Sequence, residues 1–133
     1  MKQTVIWLDD IRDPKEHTAK VYRDKNNIFW CKSMKEFTHM FPKLNVDMVW
    51  FDHDLKLEHY TPQKYWGNYY ESDKYQRERN HTETGYDCAA WMVKYCRENN
   101  IEIPMYKSQS ANPVGRDRII SLLNWETKEN TQV

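Results

Sequence analysis

The sequence has few glycines, no excess charge of either sign and no long apolar run. Only three of its 133 residues are glycine, and 20 Lys and Arg offset 20 Asp and Glu, giving a net charge of +0. Domains that bind long nucleic acids usually carry a basic excess, so this balance argues against such a partner. No apolar stretch approaches the roughly 20 residues that cross a bilayer, so we expect no membrane contact.

Cysteine is also scarce. The three cysteines, Cys31, Cys88 and Cys96, are odd in number and form no CxxC pair. Free buried thiols are the usual interpretation of such residues, two of which lie in a helix-like run. We therefore expect the protein to work in a reducing, cytoplasmic setting.

Aromatic residues, in contrast, are abundant for so polar a chain: six Trp and nine Tyr at a mean hydropathy of -1.02. This combination is typical of a small folded core with aromatic-rich loops. The length predicts a single domain over residues 1–133, with its core at about 4–125 and a polar tail at 126–133 that we expect to fray. Residues 56–83 show no sustained period, so we interpret them as an insertion that covers the surface rather than as a base-stacking platform.

The order of local patterns predicts an α/β domain with a mainly parallel sheet. The predicted strands are 4–8, 28–31, 46–51 and 101–107, with a weaker strand at Val21-Tyr22 that a turn joins to 28–31. The predicted helices begin at the capping residues Ser33, Thr84 and Asn112, the second of them running to about Asn99.

Polar clusters follow three of the predicted strands, at residues 8–14, 51–55 and 108–116. The carboxyl ends of parallel strands share one edge of the sheet, where ligands bind. Carboxylates brought together there repel one another unless a cation neutralises them, and a small set of oxygen ligands favours Mg²⁺, or Mn²⁺ in its place. The third cluster offers hydroxyls, helix amides and Arg116 to a phosphate group.

Each cluster also has an ordinary structural interpretation. An Asp after a strand is commonly a turn former or a helix cap, which applies to Asp9 and Asp10. His53 alone is more often a structural hydrogen-bonding residue than a catalyst. Four further side chains can be read as caps or as solvated or ion-paired charges: Ser110, Asn112, Arg12 and Lys107. The convergence of three clusters on one sheet edge favours a functional site.

These motifs resemble those of a divergent receiver-like group, the cyclic-phosphate-processing receiver family, a relative of response-regulator receiver domains. The family motifs LDDxRxP, xDHDL, TGY and HSxNPVGR correspond here to LDDIRDP at 8–14, FDHDL at 51–55, TGYD at 84–87 and QSANPVGR at 109–116. The resemblance spans about residues 5–123. It implies a receiver-like, flavodoxin-like fold of three layers and an activity on cyclic phosphates of nucleotides or RNA ends.

The resemblance also implies roles for individual residues. The expected metal ligands are Asp9, Asp10 and Asp52. The expected catalytic residues are Asp52, His53 and Asp54, with His53 moving a proton to the leaving alkoxide and Asp54 orienting it or activating water. The expected phosphate- or substrate-binding residues are Arg12, Lys107, Ser108, Ser110, Asn112 and Arg116.

The sequence departs from the family pattern in three ways. Gln109 stands where the family has a His, which removes a candidate acid or metal ligand. The insertion at 56–83 is longer than the usual connection. The pattern also ends one strand-helix unit before a full receiver does, so we expect a truncated sheet and do not equate Lys107 with the receiver lysine.

The sequence predicts a metal-dependent phosphoesterase that acts on a cyclic phosphate or a small nucleotide. One alternative is a non-catalytic receiver-like module that captures a nucleotide or a protein partner, and another is a phospho-switch on Asp52. The aromatic, Lys- and Asn-rich composition is similar to that of small proteins from lytic phages, which would fit removal of a host signalling nucleotide.

Overall fold

The computed structural model describes residues 2–55, 63–65, 67–79, 83–110 and 112–130. The strands and helices follow one another as β1 (Gln3–Leu8), α1 (Pro14–His17), α2 (Lys20–Lys25), β2 (Asn26–Cys31), α3 (Met34–Met40), β3 (Met48–Phe51), α4 (Tyr69–Arg79), α5 (Gly85–Glu98), β4 (Met105–Ser108) and α6 (Pro113–Asn130). Short 3₁₀ turns lie at Phe41–Lys43 and Gln63–Tyr65. None of the helices in these ranges is long and apolar enough to cross a membrane.

The four strands form one parallel sheet in the order β2-β1-β3-β4. This is the beginning of the flavodoxin-like order 2-1-3-4-5. The winding reverses between β1 and β3, and ligands of such sheets bind at this switch point, beyond the carboxyl ends of the strands. The predicted receiver-like α/β fold is therefore confirmed, and the described sheet has four strands.

The two faces of the sheet are covered by different helices. Because side chains alternate along a strand, Ile6 and Leu8 of β1 point to the same face as Val49 and Phe51 of β3. These residues form the main core with α3, α5 and α6. The short helices α1 and α2 lie over the opposite face, where Tyr22 packs edge-on against Trp50 at 6.3 Å. Helices on both faces give the expected three layers.

The prediction of a strand at Val21-Tyr22 is wrong, because both residues lie in α2. A strand-turn-strand unit would run antiparallel, whereas β1 and β2 are parallel and therefore need a crossover between them. The α2 helix is part of that crossover. It brings the Tyr22 hydroxyl to the Trp50 indole, whose Nε1 donates to it at 2.9 Å.

Three other elements differ in extent from the sequence prediction. Strand β4 begins at Met105 rather than 101, because Pro104 has no amide to donate to a neighbouring strand. Helix α6 continues through the predicted tail to Asn130. The insertion contains α4, which forms a 2.9 Å ion pair between Asp73 and Arg118 of α6. Residues 56–62, 66 and 80–82 of the insertion lie outside the described residues.

Candidate functional site

Three carboxylates meet at the switch point of the sheet. Asp9 and Asp10 follow β1, and Asp52 follows β3, the neighbouring strand. One ligand oxygen from each lies within 4.8 Å of the others. Asp9 and Asp52 are only 1% and 4% exposed, so water screens the repulsion between their charges only weakly. We call these three residues the acidic junction.

The loop after β1 is held in place by the carboxylate of Asp9, one of its own residues. Asp9 Oδ1 accepts the backbone amides of Ile11 and Arg12 at 3.0 and 2.9 Å. Two indole groups also hold the loop: Trp7 Nε1 donates to the Arg12 carbonyl, and Trp30 Nε1 donates to the Asp9 carbonyl. The Asp9 side chain therefore keeps its position independently of any ligand.

Arg12 turns inward and pairs with the acidic junction, so it is not a solvated charge. Its Nε lies 3.0 Å from Asp9 Oδ2, and its Nη2 lies 3.7 Å from Asp52 Oδ1. The guanidinium is 34% exposed and thus remains open to solvent on one side. Arg12 therefore sets one positive charge against Asp9 and Asp52, the two buried carboxylates.

Burial and the neighbouring acids change the pKa of Asp52. Burial, followed by the neighbouring Asp9, raises the pKa of the Asp52 carboxyl to about 8, and Arg12 offsets only part of the effect. A buried group that holds its proton near neutral pH lacks a counter-charge. A divalent cation would supply that charge, and the donor set suits Mg²⁺ or Mn²⁺, because every ligand atom is a carboxylate oxygen.

Gln109 is the residue at this site whose contribution the sequence analysis did not foresee. Its Nε2 donates to Asp9 Oδ2 at 3.3 Å and to the Leu8 carbonyl at 3.4 Å. Its Oε1 is buried and accepts no hydrogen bond from the part of the chain that the structure describes. The carboxamide of Gln109 thus carries an unsatisfied oxygen at its other end, one bond angle away from the nitrogen that contacts Asp9. The position of Gln109 directly after β4 is the feature of the sequence that could have identified it as a site residue.

His53 and Asp54 form a second, deeper group. His53 Nδ1 and Asp54 Oδ1 are 2.9 Å apart, and Asn112 Nδ2 donates to the same oxygen at 3.4 Å. A carboxylate oxygen accepts hydrogen bonds, so this contact suits the tautomer in which His53 Nδ1 carries the hydrogen and donates it. Both side chains are buried, His53 being 3% exposed.

Two glycines let the helices approach these residues. A Cβ at Gly85 would lie 1.8 Å from the Asp52 carbonyl oxygen, and one at Gly115 would lie 2.3 Å from His53 Cγ. The Gly85 amide donates to the His53 carbonyl at 2.8 Å, which joins the first turn of α5 to the strand exit. Residues 52–53 are thus clamped between the starts of α5 and α6.

Residues 112–116, which we call the α6 start, largely satisfy their own polar groups. Asn112 caps the helix, its Oδ1 accepting the Gly115 amide at 3.1 Å, and Ser110 Oγ accepts the Asn112 amide at 3.1 Å. The Arg116 amide bonds to the Asn112 carbonyl, and Pro113 has no amide to offer. The predicted supply of free helix amides for a phosphate is therefore smaller than the motif suggested.

Two predicted phosphate-binding residues, Lys107 and Arg116, contact neighbouring side chains. Lys107 Nζ lies 5.2 Å from the centre of the Trp50 ring, on the sheet face that α2 covers. Arg116 is half exposed, and its Nε is 3.8 Å from its neighbour Asp117. Ser108 remains at the site edge, where its hydroxyl lies 3.5 Å from the Ser110 amide. The roles of Lys107 and Arg116 in phosphate binding remain predictions.

A cavity of about 430 Å³ lies between β2 and the helices α1 and α2. It is lined by Asp13, Pro14, Lys15, Arg23, Asn26, Ile28 and Trp30. Trp30 belongs both to this cavity and to the site, since its indole donates to the Asp9 carbonyl. Its volume lies in the range of small-molecule pockets.

Comparison with known proteins agrees with this geometry. The family model described as the cyclic-phosphate processing receiver domain matches residues 4–125. No curated protein matches the chain, and no solved structure matches it. The match covers β1 through most of α6, including the acidic junction, the His53-Asp54 group and the α6 start. The chain therefore belongs to the family of cyclic-phosphate-processing receiver domains.

Proposed function

We propose that the protein is a divalent-metal-dependent phosphoesterase that hydrolyses a cyclic phosphate or a small cyclic nucleotide. The observation that carries this proposal is the acidic junction, in which three carboxylates meet at the switch point and two of them, Asp9 and Asp52, are buried beside Arg12. Asp9, Asp10 and Asp52 would hold the metal. When bound, a divalent ion polarises a phosphodiester and neutralises the charge that develops on its oxygens.

The reaction would convert one phosphodiester and one water into a phosphomonoester and a free hydroxyl. The water oxygen forms the new bond to phosphorus, and the bond to the leaving alkoxide breaks. One proton of the water must reach that alkoxide, and His53 Nε2 is the acceptor that could relay it, since Asp54 fixes the proton on Nδ1. Arg12 supplies a second positive charge to the phosphate.

The test is turnover with a defined set of substrates. The protein is incubated with Mg²⁺ or Mn²⁺ and with 2′,3′-cyclic, 3′,5′-cyclic and cyclic dinucleotides, and products are separated by chromatography. We expect turnover that EDTA stops and that Asp52→Asn removes. Asp24→Asn is the matched control, because Asp24 is an exposed acid on α2 whose contact is with Lys20. Absence of turnover with every substrate would refute the proposal that the protein is a phosphoesterase.

A second candidate is a binding module without catalysis, and the burial of His53 favours it. A ring that is 3% exposed and packed against Gly115 has little access to a substrate proton. The cavity beside Trp30 could hold the base of a captured nucleotide. Calorimetry that shows tight binding, with the nucleotide recovered intact, would select this function over hydrolysis.

We also propose that the protein acts in a reducing cytoplasm, including that of a phage-infected host. The three cysteines are free and buried, and burial raises the pKa of Cys31 to about 12, so the thiols are poor nucleophiles. Removal of a host signalling nucleotide would be its task there. Phage growth on hosts with and without cyclic-nucleotide defence tests this, and equal effects of the protein in both hosts would contradict it.

A further inference from the structure

The position of Gln109 is set by the sheet. Its backbone amide donates to the carbonyl of Phe51 at 2.8 Å. Phe51 is the last residue of β3 and directly precedes Asp52, so this bond fixes Gln109 beside the end of β3. From there its side chain crosses to β1, where Nε2 lies 3.3 Å from Asp9 Oδ2. The carboxamide therefore lies against the acidic junction, although it comes from a strand that carries none of the three acids.

The two ends of this carboxamide have unequal partners. Nε2 faces two acceptors, Asp9 Oδ2 and the Leu8 carbonyl, while the buried Oε1 has none among the described residues. Without a cation, this orientation is the favourable one, because an oxygen turned toward Asp9 would meet another oxygen. The arrangement leaves one strong acceptor unsatisfied, a cost that buried groups rarely bear.

A bound cation would reverse that preference at the Asp9 end, while Nε2 would take the place where Oε1 now has no partner among the described residues. If the carboxamide turns by half a rotation, Oε1 takes the place of Nε2, 3.3 Å from Asp9 Oδ2. Two neighbouring oxygen ligands of an octahedral Mg²⁺, each 2.0–2.1 Å from the ion, are about 3 Å apart. The observed reach of Gln109 thus suits either a hydrogen bond to Asp9 or a shared ion.

We propose that Gln109 is a metal ligand of this protein, with Oε1 completing the set formed by Asp9, Asp10 and Asp52. The inference rests on the metal site of the proposed function. A carboxamide oxygen in place of an imidazole nitrogen makes the set all oxygen, which selects hard cations such as Mg²⁺ and Mn²⁺ over Zn²⁺ and Co²⁺. The substitution of the family histidine is then a change of metal preference.

The experiment measures metal binding to EDTA-treated full-length protein by calorimetry with Mn²⁺ and with Zn²⁺, independently of turnover. Gln109→Leu should weaken Mn²⁺ binding about tenfold or more. Gln109→Glu should retain it, and Gln109→His should shift the preference from Mn²⁺ toward Zn²⁺. Gln3→Leu is the control, since Gln3 is exposed at the opposite end of β1.

A spectroscopic measurement separates a ligand from a residue that only supports the fold. In ¹⁵N-labelled protein, the side-chain amide signals of Gln109 should shift when Mg²⁺ is added, while those of Gln3 should stay in place. Unchanged Mn²⁺ affinity in Gln109→Leu, or an unchanged metal order in Gln109→His, would overturn the inference and leave the proposed function intact. If the unsubstituted protein binds no divalent metal, both fail together.

Discussion

The acidic junction and the α6 start were expected to be the two halves of one site, yet they are built differently. At the acidic junction, charge is in excess, and an oxygen beside it is unsatisfied. At the α6 start, Asn112 caps the helix and Arg116 pairs with Asp117. A motif match alone does not distinguish the two. Among the described residues, buried like charges and an unsatisfied buried oxygen occur together at the acidic junction, where we propose that a metal binds.

The largest expected effect comes from removing one charge at the acidic junction. Asp9→Asn keeps an oxygen to accept the amides of Ile11 and Arg12, so the loop should fold normally. We expect the metal-dependent turnover to fall by roughly 10²–10³-fold, because one ligand charge is lost. The measurement is kcat/KM for the best substrate found.

Asp13→Asn is the matched control for that variant. Asp13 also accepts a backbone amide in the same loop, that of Lys15 at 2.9 Å, but it is not part of the acidic junction. Its turnover should stay within about twofold of the unsubstituted protein, as for other exposed polar changes. Equal losses in both variants would show that loop charge in general, not the acidic junction, governs activity.

The next effect concerns the clamp between α5 and the exit of β3. A Gly→Ala change within a helix ordinarily stabilises it, but the Cβ at position 85 would meet backbone atoms of Asp52 and His53. Gly85→Ala should therefore lower the free energy of unfolding by about 3 kcal/mol or more. Urea denaturation followed by far-ultraviolet circular dichroism measures it, and an increase in stability would contradict the packing described.

The pH dependence of stability should reveal the charge excess without any substrate. The pKa of Asp52 is raised from 3.8 to about 8, so the folded state holds a proton that the unfolded state loses between these values. The metal-free protein should therefore lose stability as pH rises from about 4 to 8. Asp52→Asn should be equally stable at pH 4 and more stable by about 1–4 kcal/mol at pH 8. A difference that does not grow with pH would count against the buried, uncompensated carboxyl.

The smallest effects are expected where the structure departs from the motif. Lys107 lies over Trp50 and Arg116 beside Asp117, so we expect neither to carry most of the phosphate binding. Lys107→Gln and Arg116→Gln should each change KM by less than about threefold, because exposed charge contacts are weak. A tenfold rise in KM for Arg116→Gln would restore the α6 start as half of the site.

Much of the fold could be predicted from the sequence because its strongest signals are local. The run at 4–8, the cap at Thr84 and the apolar face of α5 each specify their own element. The α2 helix was missed because its residues 20–25 contain no buried side chain and so no apolar period. Helix α4 was missed because its sequence shows no apolar period, and its described contacts include polar ones such as Arg118 to Asp73.

The site was predictable in part. The sequence predicted the convergence of Asp9, Asp10 and Asp52, because strand exits of a parallel sheet share one edge. The inward turn of Arg12 and the contact of Gln109 with Asp9 depend on side-chain directions in three dimensions, which no spacing encodes. The roles of these residues remain predictions.

The central claim is that the acidic junction requires a divalent cation, and proton-linked metal binding tests it most directly. Mg²⁺ is titrated into metal-free protein by calorimetry between pH 6 and pH 9, in buffers of different ionisation enthalpy. We expect one ion to bind with release of a proton from Asp52, and the affinity to rise up to roughly tenfold per pH unit below the Asp52 pKa of about 8. Affinity independent of pH, with no proton released, or no saturable binding at any pH, would contradict the account.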